Sequence, residues 1–412
     1  MRSQPEIVIV GAGIVGLALA LNLHKRGLTC RLYEAVPELR EIGVGVTLLP
    51  HATRELNALG LLPQIEAAGI DNKANAFFNR FGQLLFSEPR GRAAGYPVPE
   101  VGIHRGRFQT VLLKAVQERL GPGAVVTGRR CTGVEQAGER VLVHLADPQG
   151  APVETVSADV VVACDGVNSA VRRQFYPDDA LCFTGINLWR GVTRRPPILD
   201  GRTYIRIGSI RTGKMVIYPI VNDVDGSGLQ LINWAAEIER PGTALNDWNT
   251  PGRAEDFLPI FKHWTFDWLD VPELISRADF ILEYPMVDKE PLERWSFGRV
   301  TLAGDAAHPM YPRGSNGSAQ GLIDARVLAD RLAGGGDAEA ALKAYEAERI
   351  PLTSKVVRTN RSTPPDLINI EVEERTGDRP FDDLSRFISQ SELQAISDRY
   401  KQVAGFSRED VG

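Results

Sequence analysis

Wholly apolar runs of four or five residues recur along this chain, and each is followed by glycines and then by a longer run with helical spacing. Ile7-Val8-Ile9-Val10 is the first, and its lack of polar alternation predicts a strand buried on both faces, as in a parallel sheet. An apolar helix ending near Gly27 follows, and Arg31-Leu32-Tyr33 resumes as a second strand that stops at Glu34. Val160–Ala163 and Arg299–Ala303 repeat the buried-strand signature, while Val141–Leu145 alternates like a half-buried strand. Helices are predicted at Phe108–Leu120, Ser318–Leu332, Ala338 to about Thr359, and Ser391–Val403. Between about Phe183 and Pro285 the texture changes. Short segments such as Thr203–Ile207, Lys214–Ile220 and Gly228–Ala235 are punctuated by Gly, Asp and Asn, which predicts an antiparallel sheet. The expected fold class is α/β, with an antiparallel insertion and C-terminal helices.

Composition narrows the functional classes. With 43 % hydrophobic and 24 % charged residues the chain is an ordinary globular one, and its 412 residues suit two or three domains. A net charge of −5 without a basic stripe argues against a nucleic-acid partner. The apolar run Ile7–Leu21 is broken by three glycines and followed by Asn22, His24, Lys25 and Arg26, so it reads as strand and helix rather than a membrane span or signal peptide. Four cysteines (Cys30, Cys131, Cys164, Cys182) lack C-x-x-C spacing and read as free thiols of a reducing, cytoplasmic compartment. No cluster has metal-ligand spacing, so no metal is expected, and no G-x-S-x-G elbow points to a hydrolase.

Three motifs carry chemistry. Gly11-x-Gly13-x-x-Gly16 lies between strand and helix: the first glycine permits the turn, the second a close approach of backbone to pyrophosphate, the third close packing of helix on strand. The helix N-terminus offers free N–H groups to phosphate, and Glu34 ends the next strand where a carboxylate accepts from ribose hydroxyls. This is a Rossmann-like dinucleotide site, open to FAD or NAD on its own. Gly304-Asp305 then ends another buried strand, and the loop Pro312-Arg313-Gly314-Ser315-Asn316-Gly317 presents amides at a helix start, which suits a flavin. Cys164-Asp165-Gly166, with Ser169 and Arg172, again follows an apolar strand.

In that order the three motifs resemble the para-hydroxybenzoate hydroxylase family of single-component, FAD-dependent aromatic hydroxylases. Ser87–Gly91, Leu188–Thr193, Tyr284–Asp288 and His308–Pro312 are similar to the bacterial phenazine-carboxylate and salicylate-type members. The resemblance implies an FAD-binding domain over 1–180, resumed at 291–360, with residues of about 70–100 as candidates to join an antiparallel substrate domain at 181–290, and a C-terminal helical segment at 361–412. It places Glu34 and Ala35 at the adenosine ribose, Gly13 near the pyrophosphate, and Arg40, Gly45 and Val46 in the loop beside the flavin ring. Arg105 falls at the ribityl–pyrophosphate part and Cys131 against adenine. Asp165 falls on the pyrophosphate side, Asp305 at the ribityl chain, and Pro312, Gly314, Ser315, Asn316 and Gly317 at the flavin's pyrimidine edge. The Ser315-Asn316 pair departs from the Gln-Gly of many members.

The implied activity is hydroxylation of a small aromatic or heteroaromatic substrate, with carboxylated phenazine- or salicylate-like rings among the candidates and decarboxylative hydroxylation open for them. Non-covalent FAD, NADH or NADPH, and O2 would be consumed through a flavin C4a-hydroperoxide. The reading implies no membrane span and a monomer or homodimer. Two rivals stand beside it: a flavin-dependent reductase or oxidase on the same fold, and a non-catalytic protein that binds flavin and sequesters a ligand. Tyr218, in the strand Met215–Pro219, is the candidate catalytic phenol. Trp189 and Met310 join it as candidate substrate contacts, although a sheet tryptophan more often packs. His308 reads as a hydrogen-bonded structural histidine.

Overall fold

The computed structural model describes residues 6–239, 250–362 and 366–411. The apolar runs become the centre of a six-stranded sheet in the order Ser296–Phe297, Val300–Leu302, Val160–Ala163, Ile7–Val10, Cys30–Tyr33, Val125–Val126. Its inner strands are parallel, Ile7 opposite both Val160 and Cys30. Burial on both faces explains the unbroken hydrophobicity: Ile7, Ile9 and Val160–Ala163 are fully covered. Helices Ile14–Lys25, Arg105–Leu120 and Gly317–Ala333 pack against this sheet in one continuous core.

The antiparallel region forms a second, eight-stranded sheet in the order 250–251, 278–288, 182–195, 230–239, 213–221, 203–209, 74–78, 84–89. Strands Ala74–Phe78 and Leu84–Pro89 thus reach it from the first hundred residues. One face carries Trp189, Ile205, Ile207, Met215, Ile217 and Trp234, sealed by the segment 257–275. The other carries Leu188, Val192, Tyr204, Val216, Tyr218 and Ala235 and looks toward the first sheet. Because side chains alternate along a strand, neighbouring residues are dealt to opposite faces. That parity decides what enters the space between the sheets.

The chain's last stretch is helical at Leu367–Thr376, Gln390–Ala404 and Arg408–Val411. It packs on both bodies. Ile368, Val372 and Leu393 bury against Phe77 and Phe86, and Tyr400 and Phe406 bury against Leu49 and Leu62. No helix among the described residues is long and apolar enough to cross a membrane.

Candidate active site

A cleft of about 330 Å³ lies between the sheets, and the three motifs line its deep side. Gly11 has φ +96°, and a Cβ there would stand 2.6 Å from the carbonyl oxygen of Cys164; one at Gly16 would stand 2.0 Å from that of Gly11. These two glycines are required by the fold itself. Gly13 differs: it has extended backbone and no protein atom within 4 Å of a built Cβ, so only a close-approaching ligand needs glycine there. Glu34 receives N–H bonds from Ala12 (2.8 Å) and Val36 (3.0 Å), which fixes its carboxylate beside the turn and beside Ala35.

The second and third motifs are tied to each other. Asp165 accepts from the Ala170 amide at 2.8 Å through Oδ2, while Oδ1 is buried without a partner among the described residues. Arg172, 1 % exposed, donates to the carbonyls of Ala306 and Ala307 at 3.1 and 2.8 Å and so fixes the Gly304-Asp305 turn. Beneath that turn Asp324 accepts from the Gly304 amide (3.1 Å), His308 Nε2 (2.5 Å) and Arg349 Nε (2.7 Å). Burial alone would raise the Asp324 carboxyl, but His308 and Arg349 overcome it and hold it at about 2. Asp324 is therefore an anion, and His308 is its partner in a structural network.

Asp305 points into the cleft. Protein atoms around it raise its carboxyl above the ordinary range, opposed by His308 and Arg105. The loop Pro312–Gly317 closes one side, with Ser315 at φ +57° and Gly314 at φ +73°. A Cβ on Gly314 would collide with the Tyr400 hydroxyl, which in turn receives the Asn316 Nδ2 hydrogen bond at 2.9 Å. Asn316 Oδ1 meets His51 Nε2 at 3.2 Å. The C-terminal helix thus braces the loop from behind.

The floor of the cleft follows from strand register. Arg190, Ala235, Val216 and Arg206 form one row across four strands, and Asn233, Tyr218 and Tyr204 form the next. The rings of Tyr204 and Tyr218 stack at 4.9 Å. Burial pushes the Tyr218 phenol up to about 12 despite Arg190 beside it, so it is a neutral donor. Arg190 donates to the Gly45 carbonyl (2.5 Å) and Asn233 Oδ1 accepts from the Gly45 amide (2.8 Å), pinning over this floor the start of the strand Gly45–Leu48, where a loop was expected.

Gly13, Gly45, Val46, Arg105, Asp305, Met310, Pro312, Gly314, Ser315, Asn316, Gly317 and Tyr218 line the cleft together. Others do not. Trp189 is a correction: it is 1 % exposed on the opposite face and stacks on Phe257 at 5.0 Å, because its neighbours Leu188 and Arg190 take the cleft-facing parity. Arg40 is exposed and paired with Glu38 at 2.7 Å, outside the cleft lining. Cys131 is buried in the strand Arg130–Ala137, its thiol pushed up to about 12 by burial and turned to the Gly133 carbonyl at 3.7 Å. Sequence reasoning missed Arg190, Arg206, Lys214 and Arg313. For the three strand residues the available signal was an isolated basic residue inside an otherwise apolar strand, at the parity opposite its core-facing neighbours; Arg313, on a loop, carried no such signal.

The chain matches the FAD binding domain family over residues 4–185 and 285–360. It is 43 % identical over 366 residues to phenazine 1,6-dicarboxylic acid hydroxylase PhzS of Lysobacter antibioticus, covering 87 % of this chain and 90 % of that one. It is 33 % identical to 3-amino-4-hydroxybenzoate 2-monooxygenase PtnB3 of Streptomyces platensis, with 87 % of each chain covered. Among solved structures, a salicylate hydroxylase substrate complex superposes with a TM-score of 0.75 at 22 % identity, covering 100 % of this chain and 98 % of that one. Motifs, fold and relatives agree, and the chain belongs to the FAD-binding-domain family of flavin-dependent aromatic hydroxylases. It is an FAD-dependent monooxygenase of aromatic substrates.

Proposed function

We propose that this enzyme hydroxylates a small aromatic or heteroaromatic acid in the cytoplasm, drawing electrons from NADH or NADPH and oxygen from O2. The names of the relatives above supply the substrate class, and four free thiols suit a reducing compartment. The observation that carries the reading is one continuous cleft with nucleotide-type motifs on its deep side and a buried Tyr218 on its floor.

The residues fit FAD. Gly13 leaves room for a pyrophosphate that no protein atom uses, and Asp165 keeps an unpartnered oxygen on that side. Glu34, Arg105 and Asp305 would hold ribose, phosphate and ribityl groups, and the amides of Gly314–Gly317 would meet the ring edge. Bound FAD supplies the electron relay and the activation of O2. The protein's own part is to place the substrate and keep water out. Val46, Val216 and Ala235 give an apolar surface for a planar ring. Tyr218, neutral at working pH, donates to a ring oxygen substituent, favours its anionic form and so enriches the carbon to be hydroxylated.

The test is NAD(P)H oxidation with a panel of aromatic acids and phenazines, followed by product mass. A product carrying one oxygen atom from ¹⁸O2, with the ring carboxylate kept or replaced, is the expected result. Oxidation of NAD(P)H without oxygen in any product would turn the reading into a reductase or oxidase.

A further inference from the structure

Arginines are almost never buried without partners, since an unpaired guanidinium loses its hydration for nothing. The cleft holds two such groups. Arg206, 5 % exposed, makes no hydrogen bond and no ion pair with any described residue, and its Nε is fully buried. Arg313, 8 % exposed, is in the same condition. The other cations nearby do have partners, although the Nε of Arg190 is itself buried without one. Arg190 bonds the Gly45 carbonyl, and Lys214 sits 2.8 Å from Glu237 and 3.2 Å from Asp366.

The two come from different bodies. Arg206 stands on the sheet floor, its guanidinium over the rings of Tyr204 (4.9 Å) and Phe77 (5.6 Å), which fixes it without an acid. Arg313 is carried by the Pro312–Gly317 loop. Charge is also unbalanced at this end. Arg206, Arg313 and Lys214 face Glu237 and Asp366, while Glu88 and Glu100 on the other side of Arg206 are matched by Arg90 and Lys401, so one more cation than carboxylate remains. Asp366, completely buried and outside ion-pair distance of both arginines, is already engaged by Lys214. One negative charge is missing.

The geometry points to a carboxylate subsite formed jointly by Arg206 and Arg313, which selects substrates bearing a ring carboxylate at the end of the cleft remote from Gly45 and Val46. The inference rests on the reading of the cleft as the substrate site. Register sets its distance. Arg206 and Arg190 occupy opposite ends of one row, three strand spacings or roughly 14 Å apart, with Val216 and Ala235 between them. A planar ring system lying over those two small side chains directs an acid at one end toward Arg206 and Arg313. Its other edge stays near Arg190 and the strand start at Gly45-Val46. A guanidinium from each body gives the acid two charge-assisted donors with fixed directions, and an amide of the same shape offers no charge to either.

The experiment compares phenazine-1-carboxylate with phenazine-1-carboxamide, both titrated into the FAD-loaded enzyme and followed by flavin fluorescence. Wild type should bind the acid at least about tenfold more tightly than the amide, the scale of one lost charged hydrogen bond. Arg206→Gln and Arg313→Gln should each bring the two affinities within about twofold by weakening the acid alone, with FAD content unchanged. Arg206→Lys should restore part of the preference. Equal affinity for acid and amide in wild type, or a preference unchanged in both glutamine variants, overturns the subsite. If Arg206→Gln fails to fold, Arg313→Gln on the loop decides alone. The outcomes also separate the two readings. A preference that follows the arginines in a protein that hydroxylates nothing keeps the subsite and removes the activity. Hydroxylation indifferent to the carboxylate does the reverse.

Discussion

At Gly13 a methyl group would meet no protein atom within 4 Å, whereas at Gly11 and Gly16 it would strike backbone. The three glycines of one motif therefore divide between fold and ligand. Gly13→Ala is expected to leave the apoprotein's melting temperature within about 1 °C while weakening FAD binding tenfold or more, read by fluorescence titration of reconstituted apoprotein. Loss of stability equal to the loss of affinity would show that the fold, and not the cofactor, requires this glycine. Tyr218 makes a second test at the same scale. Tyr218→Phe keeps the ring and its stack on Tyr204, so NAD(P)H oxidation should persist while product falls and hydrogen peroxide rises. The phenol, pushed up to about 12, stays neutral between pH 7 and 10, so the variant's pH profile should shift upward only through the substrate oxygen that loses its donor, and an unchanged pH dependence would count against the role. Unchanged coupling in the variant would return Tyr218 to the core.

Single strands explain what was and was not legible in the sequence. Ile7–Val10 and Val160–Ala163 are buried on both faces, and a run with no polar residue says so directly; Val300–Leu302 is buried as fully with Thr301 at its centre, bonded to Ser296. The glycine motifs were legible because backbone conformation leaves few residue choices. Strands Cys182–Arg195 and Thr203–Ser209 were harder, since both of their faces are covered, one by core and one by the cleft wall. Alternation then separates core from site only by the charge at Arg190 and Arg206, and an aromatic residue such as Trp189 fits either face. Burial on the Phe257 side predicts that Trp189→Ala costs stability rather than chemistry, about 3–5 kcal/mol for a buried aromatic. Denaturant unfolding measures the cost. Folded variant at low temperature should keep its acid-substrate affinity within about twofold, and a selective loss of that affinity would put Trp189 back at the substrate.

Across the whole molecule, buried carboxylates join the parts that make the cleft. Asp324 ties the Gly304-Asp305 turn to Arg349 of the helix Ala338–Ser362. Glu88 of the large sheet bonds Lys401 of the C-terminal helix at 2.7 Å, and Asp366 meets Lys214. Burial alone would raise all three. The cations around them win and hold each at about 2, against roughly 4 for an unfolded carboxyl. A carboxyl depressed in the folded state binds its proton less readily there than in the unfolded chain. Its contribution is present in full above pH of about 4 and is lost as pH falls toward 2. Asp165 has the opposite sign, since burial raises it, and its protonation in mild acid relieves a cost of folding. The balance predicts a melting temperature that is nearly flat from pH 7 to 5 and falls steeply between pH 4 and 2.5. Asp324→Asn should melt lower than wild type at pH 7, because Arg349 and His308 lose their anion, yet lose less on acidification. Glu88→Gln should do the same on a smaller scale, since Glu88 also receives Ser397, whose hydroxyl a glutamine oxygen still accepts. Scanning fluorimetry across that range checks both variants. Equal acid slopes in wild type and the two variants would mean that Asp324 and Glu88 do not carry the join between these parts.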